Sequence, residues 1–243
     1  MKNKQRVSGN SKAVVLLSGG LDSATALYYA KKKGYDCLCL IFDYGQRHSR
    51  EIACARKIAD AARCPYYLLP ICMPWQGSAL LNKKISLPSV LHHQPGVITA
   101  RRLNNIPVTY VPARNIIFLS FALSCAEAIG ARSIFIGAHA QDYSGYPDCR
   151  PEFYRAFEGV IAAGTKAGTE QKKITVHTPL IDKTKAGIVR LGYSLGVPFE
   201  LTWSCYAGGK RPCGKCDSCY FRAKGFEAAG IKDPVITAGI SDR

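Results

Sequence analysis

Apolar positions along this chain fall into short unbroken runs separated by longer stretches with helical spacing. Residues 14–17 form a brief apolar run that predicts a buried strand, and 23–33 continue as a helix that stops at Gly34. Residues 37–44 predict a second strand. From 51 to 63, Ile52, Ala55, Ile58, Ala59 and Ala62 fall on one helical face, and 66–71 read as a third strand before Pro74. The stretch 73–107 has no sustained period and predicts a long loop or lid with short helical turns. Regularity returns with helices over 115–130, 151–163 and 183–195 and strands over 133–138 and 174–178. Short apolar strands alternating with amphipathic helices predict an α/β fold, a doubly wound parallel sheet with ligands at the C-terminal ends of its strands.

The break between the first strand and first helix carries candidate chemistry. Ser18-Gly19-Gly20-Leu21-Asp22-Ser23 lies where free N–H groups and the helix dipole attract an anion. It is not a Walker loop, because no Gly-Lys-Ser/Thr follows, and it lacks the G-x-G-x-x-G spacing of dinucleotide sites. Asp22 would repel phosphate unless it holds Mg²⁺, so it reads as a ligand bridging the metal to phosphate oxygens. Asp22 or Ser23 as an ordinary helix cap is the plain alternative.

Composition narrows the setting. The chain has 243 residues with 33 basic against 17 acidic side chains, a net charge of +16 that favours anionic partners. The charge is spread out, with no block long enough for a nucleic-acid tail, so a solvated basic surface fits at least as well as an RNA footprint, and of the two no direct nucleic-acid partner is the expectation. The longest uncharged apolar stretch, 116–126, is shorter than the ~18 residues of a membrane span, and no secretory core follows the basic start, so a soluble, cytoplasmic protein is expected.

Cysteine usage agrees with a reducing compartment. Of eleven cysteines, seven are scattered and read as inert core, whereas Cys205, Cys213, Cys216 and Cys219 fall within fifteen residues. Four thiolates saturate tetrahedral Zn²⁺ and predict a structural site. Iron–sulfur clusters use similar spacings, but the ferredoxin pattern ends in Cys-Pro and here Tyr220 follows Cys219.

The Ser18 to Ser23 signature resembles the PP-loop of the ATP pyrophosphatases, which cleave ATP between the α and β phosphates and transfer AMP to a substrate oxygen. With "DYGQRH" (43–48), "YVPARN" (110–115), "QDYSGYPDCRPEF" (141–153) and "WSCYAGGKRPCGKCDSC" (203–219), the chain from about residue 14 to 226 is similar to the 7-cyano-7-deazaguanine synthase family. The resemblance implies a PP-loop domain over 13–200 behind a basic extension (1–12), with a zinc-binding segment (201–243) packed on it. It implies ATP bound along Leu17, Ser18, Gly19, Gly20, Leu21, Asp22, Ser23, Ala24, Thr25, Ala26 and Leu27, with Asp22, Ser23 and Lys185 catalytic. Free 7-carboxy-7-deazaguanine is the implied substrate and ammonia the nucleophile, in a homodimer that uses Mg²⁺ and Zn²⁺. Arg114 is implied beside phosphate or the substrate carboxylate.

Asp142, Asp148, Arg150 and Glu152, after the 133–138 strand, are the candidate substrate contacts, since carboxylates accept from a guanine-like edge and arginine grips a carboxylate. Asp148 as a helix cap and an Arg150–Glu152 surface pair are the plain readings. Two positions depart from the family pattern: Gly187 stands where an acid is expected after Lys185, and His139 where a small amide is common. His139 is read as an ordinary buried histidine. A superfamily enzyme acting directly on tRNA or a protein is the alternative function, although neither a reactive cysteine pair nor an added RNA-binding domain is visible.

Overall fold

The computed structural model describes residues 11–47, 49–75, 77–87, 106–139 and 145–237. Five parallel strands form one sheet in the order β3-β2-β1-β4-β5: β1 (Lys12–Leu16), β2 (Asp36–Asp43), β3 (Tyr66–Pro70), β4 (Ser133–Phe135) and β5 (Thr175–His177). The helices are α1 (Leu21–Lys32), α2 (Arg50–Ala61), α3 (Arg114–Ile129), α4 (Pro151–Gly164), α5 (Lys166–Thr169), α6 (Lys185–Ser194), α7 (Asp217–Ala229) and α8 (Pro234–Thr237).

Period-two alternation within buried strands sends neighbouring side chains to opposite faces. Ala13, Val15 and Leu17 pack with Leu27, Ile58, Ile188 and Phe226 on one face. Val14 and Leu16 pack with Leu119, Leu123, Phe157 and Ile161 on the other. The chain therefore winds in both directions from β1. Its neighbours β2 and β4 leave a crevice beyond their C-terminal ends, the place where doubly wound sheets bind ligands.

The C-terminal segment shares this core. Phe226 of α7 meets Phe199 edge-on at 5.3 Å between ring centres. Arg222, buried in the same helix, donates from Nε to Asp233 Oδ2 at 2.6 Å, from Nη2 to Asp233 Oδ1 at 2.9 Å and from Nη1 to Thr202 Oγ1 at 2.8 Å. Asp233 also accepts from Val235 N at 3.0 Å at the start of α8. Asp233→Ala would leave a buried guanidinium without its counter-charge, and breaking one side of such a pair costs about 3–5 kcal/mol. We expect a loss of that size in urea unfolding; a change under 1 kcal/mol, on the order of an exposed pair, would contradict it.

One expectation changes and one element is new. The zinc-binding segment carries helix α7, a stretch to which periodicity assigned no element. Cys72, expected among inert core thiols, is exposed. Of the 73–107 loop, residues 88–105 lie outside the described residues. Residues 79–85 wrap Arg47, whose Nη1 donates to Ala79 O at 3.3 Å and to Ile85 O at 3.1 Å.

Candidate active site

The turn after β1 is knit by its own hydroxyls. Ser18 N donates to Ser23 Oγ at 3.2 Å, the two hydroxyl oxygens lie 3.0 Å apart, and Ser23 Oγ donates to Gly20 O at 3.2 Å. Gly19 takes φ +83°, and a Cβ there would lie 2.2 Å from Glu51 O, so only glycine fits the turn against α2. The first-turn N–H groups of Leu21, Asp22 and Ser23 have no intrahelical acceptor and form a donor cradle. Thr25, Ala26 and Leu27 are buried further along α1 and support that cradle.

Asp22 opens α1 beside two nitrogen groups from distant chain segments. Lys185 Nζ donates to its Oδ1 at 2.9 Å and Oδ2 at 3.0 Å, and His139 Nε2 is 3.7 Å from Oδ2. Burial pushes the Asp22 carboxyl up, but Lys185 and then His139 outweigh this and hold it below its ordinary range. His139 is buried as expected, yet its Nε2 lies 2.8 Å from Lys185 Nζ, so it belongs to the charged cluster rather than to an inert core. Gly225 of α7 makes room for this arrangement, because a Cβ there would meet Lys185 Cγ at 2.4 Å.

A cavity of about 260 Å³ opens from the turn across the ends of β1, β2 and β4. Ser18, Asp22 and Ser23 line one side, and Arg114, Tyr44 and Phe118 the other. Arg114 starts α3 directly after Ala113, a non-glycine residue at φ +55° that turns the chain sharply. Its Nη1 donates to Tyr44 Oη at 3.2 Å.

Asp148 is buried and caps α3 rather than α4: its Oδ2 accepts from Asn115 N at 2.9 Å, and Asn115 Nδ2 donates to Asp148 O at 3.0 Å. Arg114 and Asp148 are thus brought together around one helix start. Arg150 and Glu152 are not. Helix α4 begins at Pro151 and leaves both residues exposed outside the cavity lining, with Glu152 paired to Arg155 at 3.1 Å instead of to Arg150. Asp142 lies outside the described residues.

Some lining residues carried no assigned role in the sequence, Trp203, Ser204 and Tyr206 among them although they lie in the 203–219 motif. Glu51, in the first turn of α2, reaches the cavity half-buried, and burial pushes its carboxyl up to about 7 although Arg114 opposes the shift. Helical spacing had marked this stretch by its apolar face and passed over the acid between them. Trp203, Ser204 and Tyr206 line the opposite wall. Trp203 N donates to Gly19 O at 2.9 Å, and the Arg50 guanidinium lies over its ring at 4.0 Å, so the C-terminal segment buttresses the turn directly.

Next to Trp203, the Sγ atoms of Cys205, Cys213, Cys216 and Cys219 all lie within 4.8 Å of one another, with Cys213 and Cys219 at 4.0 Å. Tetrahedral zinc with Zn–S bonds of about 2.3 Å needs sulfurs roughly 3.8 Å apart, so a small closure suffices. Backbone N–H groups already point at sulfur, from Cys213 to Cys205 at 3.3 Å and from Cys216 to Cys213 at 3.4 Å. Thiol hydrogen bonds from Cys216 and Cys219 pull Cys205 well down. This donor set can hold a metal ion.

Queuosine biosynthesis protein QueC is the family whose sequence profile matches, over residues 12–230. A 7-cyano-7-deazaguanine synthase of Trichodesmium erythraeum (strain IMS101) is 50% identical over 227 residues, 93% of this chain and 100% of that protein. One from Thermosynechococcus vestitus (strain NIES-2133 / IAM M-273 / BP-1) is 52% identical over 226 residues, 92% of this chain and 94% of that protein. Among solved structures, NMN synthetase from Francisella tularensis aligns at TM-score 0.48 and 15% identity, covering 94% of this chain and 81% of that one.

Proposed function

Because this chain belongs to the QueC family of queuosine biosynthesis proteins, we propose that it makes 7-cyano-7-deazaguanine from 7-carboxy-7-deazaguanine, ammonia and ATP. The observation that carries this reading is the single cavity shared by the Ser18–Ser23 turn and Arg114. A donor cradle for phosphate thereby shares one cavity with a cation for a carboxylate.

Arg114 grips the substrate carboxylate and aims one oxygen at the α-phosphorus of ATP. The first-turn N–H groups and the hydroxyls of Ser18 and Ser23 hold the leaving pyrophosphate, and Lys185 offsets its developing charge. Asp22, kept ionised, would hold the Mg²⁺ that screens the phosphates. Ammonia then displaces AMP to give an amide. Its oxygen is activated by a second ATP at the same turn and leaves as AMP, giving the nitrile. Each activation serves one purpose: oxygen leaves poorly as hydroxide but well as AMP.

Asp148 acts through Asn115 by fixing the start of α3, and so the position of Arg114. Arg150 and Glu152 have no part in this scheme as the chain stands. The four cysteines would hold structural Zn²⁺, with no open position for chemistry. A cytoplasmic homodimer remains the arrangement implied by the family resemblance. Among the described residues no helix is long and apolar enough to cross a membrane.

Mass spectrometry of purified protein with 7-carboxy-7-deazaguanine, Mg-ATP and ammonium tests the reading. AMP, pyrophosphate, an amide intermediate and the nitrile are expected together. A deazaguanine left unmodified while ATP is cleaved, or not cleaved at all, would overturn it.

A further inference from the structure

We propose that Glu51 is the base that takes a proton from ammonium before nitrogen attacks the adenylated carboxylate. The inference deepens the function proposed above and rests on it. Ammonium keeps its proton at neutral pH and has no lone pair to attack with, so an enzyme fed by free ammonium needs a base within the site. The described residues that line the cavity include only two carboxylates, Asp22 and Glu51, and no histidine. Asp22 is engaged by Lys185 through both oxygens. The Glu51 carboxylate accepts no hydrogen bond from any described residue.

Position supports the assignment. Glu51 sits where α2 packs on Gly19, between the turn that holds the phosphates and Arg114, which holds the carboxylate. A base here is beside the bond being exchanged. The neighbouring cation Arg114 repels ammonium, leaving Glu51 as the group in that part of the cavity that attracts it. Burial, which lifts its carboxyl toward neutrality, suits a group that must both accept a proton and return it.

The step balances without a further reagent. Glu51 carboxylate takes one proton from ammonium; ammonia forms the C–N bond at the acyl carbon; the C–O bond to AMP breaks and AMP leaves with the electron pair. The attacking nitrogen sheds its second proton to solvent, and Glu51 then releases the first to solvent. The product is the amide.

Glu51→Gln keeps the shape and removes the base. Three readouts separate its roles: pyrophosphate–ATP exchange dependent on 7-carboxy-7-deazaguanine without ammonium, amide formation from ammonium, and hydroxamate formation from hydroxylamine, which is already neutral at pH 7.5. We expect amide formation to fall by about 10²-fold while exchange and hydroxamate formation stay near wild type. Retained use of ammonium would overturn the inference. So would parallel loss of all three activities with a raised KM for the deazaguanine, which would make Glu51 a contact for the purine edge or a structural residue. Wild-type protein that shows no deazaguanine-dependent exchange brings down the functional reading itself, a different failure.

Discussion

Alanine at both Cys216 and Cys219 is expected to strip the protein of bound zinc and to abolish nitrile synthesis. Two of four thiolates remain, too few for a structural site. The apparent binding free energy of such a site is about 10–16 kcal/mol, comparable with the whole stability of a domain at about 5–15 kcal/mol. Loss of that contribution loosens the segment that carries Trp203, whose N–H holds Gly19 O, and the helix whose Gly225 seats Lys185. Activity should therefore disappear although none of the four clustered cysteines lines the cavity. Elemental analysis of wild type should find about one zinc per chain, and the variant close to none, with a lowered thermal midpoint. A wild type carrying iron, or a variant that keeps zinc and activity, would refute the assignment.

The second large effect is expected for Asp22→Asn, with kcat/KM for ATP reduced by about 10³-fold. The substitution keeps the side-chain volume and the start of α1 but removes the charge that Lys185 and His139 hold in place. Helix N–H donors remain, so nucleotide binding weakens less than turnover. Pyrophosphate release and ATP affinity, measured side by side, separate the two. Equal losses in both would make Asp22 a simple binding contact. Activity within tenfold of wild type would remove it from the chemistry.

Element positions were legible to within a residue or two at many ends because the signals are local. Buried parallel strands read as unbroken apolar runs, and Gly34 and Gly130 close their helices in the left-handed region. Helix α7 escaped notice: Cys219, Tyr220, Phe221 and Phe226 make no regular apolar stripe, and the clustered thiols dominate that stretch. The site divides the same way. The Ser18–Ser23 turn is contiguous in the chain and readable as such. By contrast, Asp142, Asp148, Arg150 and Glu152 were each, one by one, candidate substrate contacts; the helix expected from 151 does start at Pro151, and Arg150 and Glu152 are exposed at its beginning.

By itself the sequence determined the alternation of strands and helices, the glycine turn after the first strand, the four-thiol cluster and the family resemblance. Each depends on spacing along a continuous stretch. Only the tertiary structure decided that Asp22, His139 and Lys185 meet in one cluster, that Asp148 caps α3 and that Trp203 braces Gly19. It also decided that Glu51 faces the cavity beside Arg114. Those pairings join residues as much as 184 positions apart, Gly19 to Trp203. Sheet order and helix packing set them, and local periodicity carries no record of either.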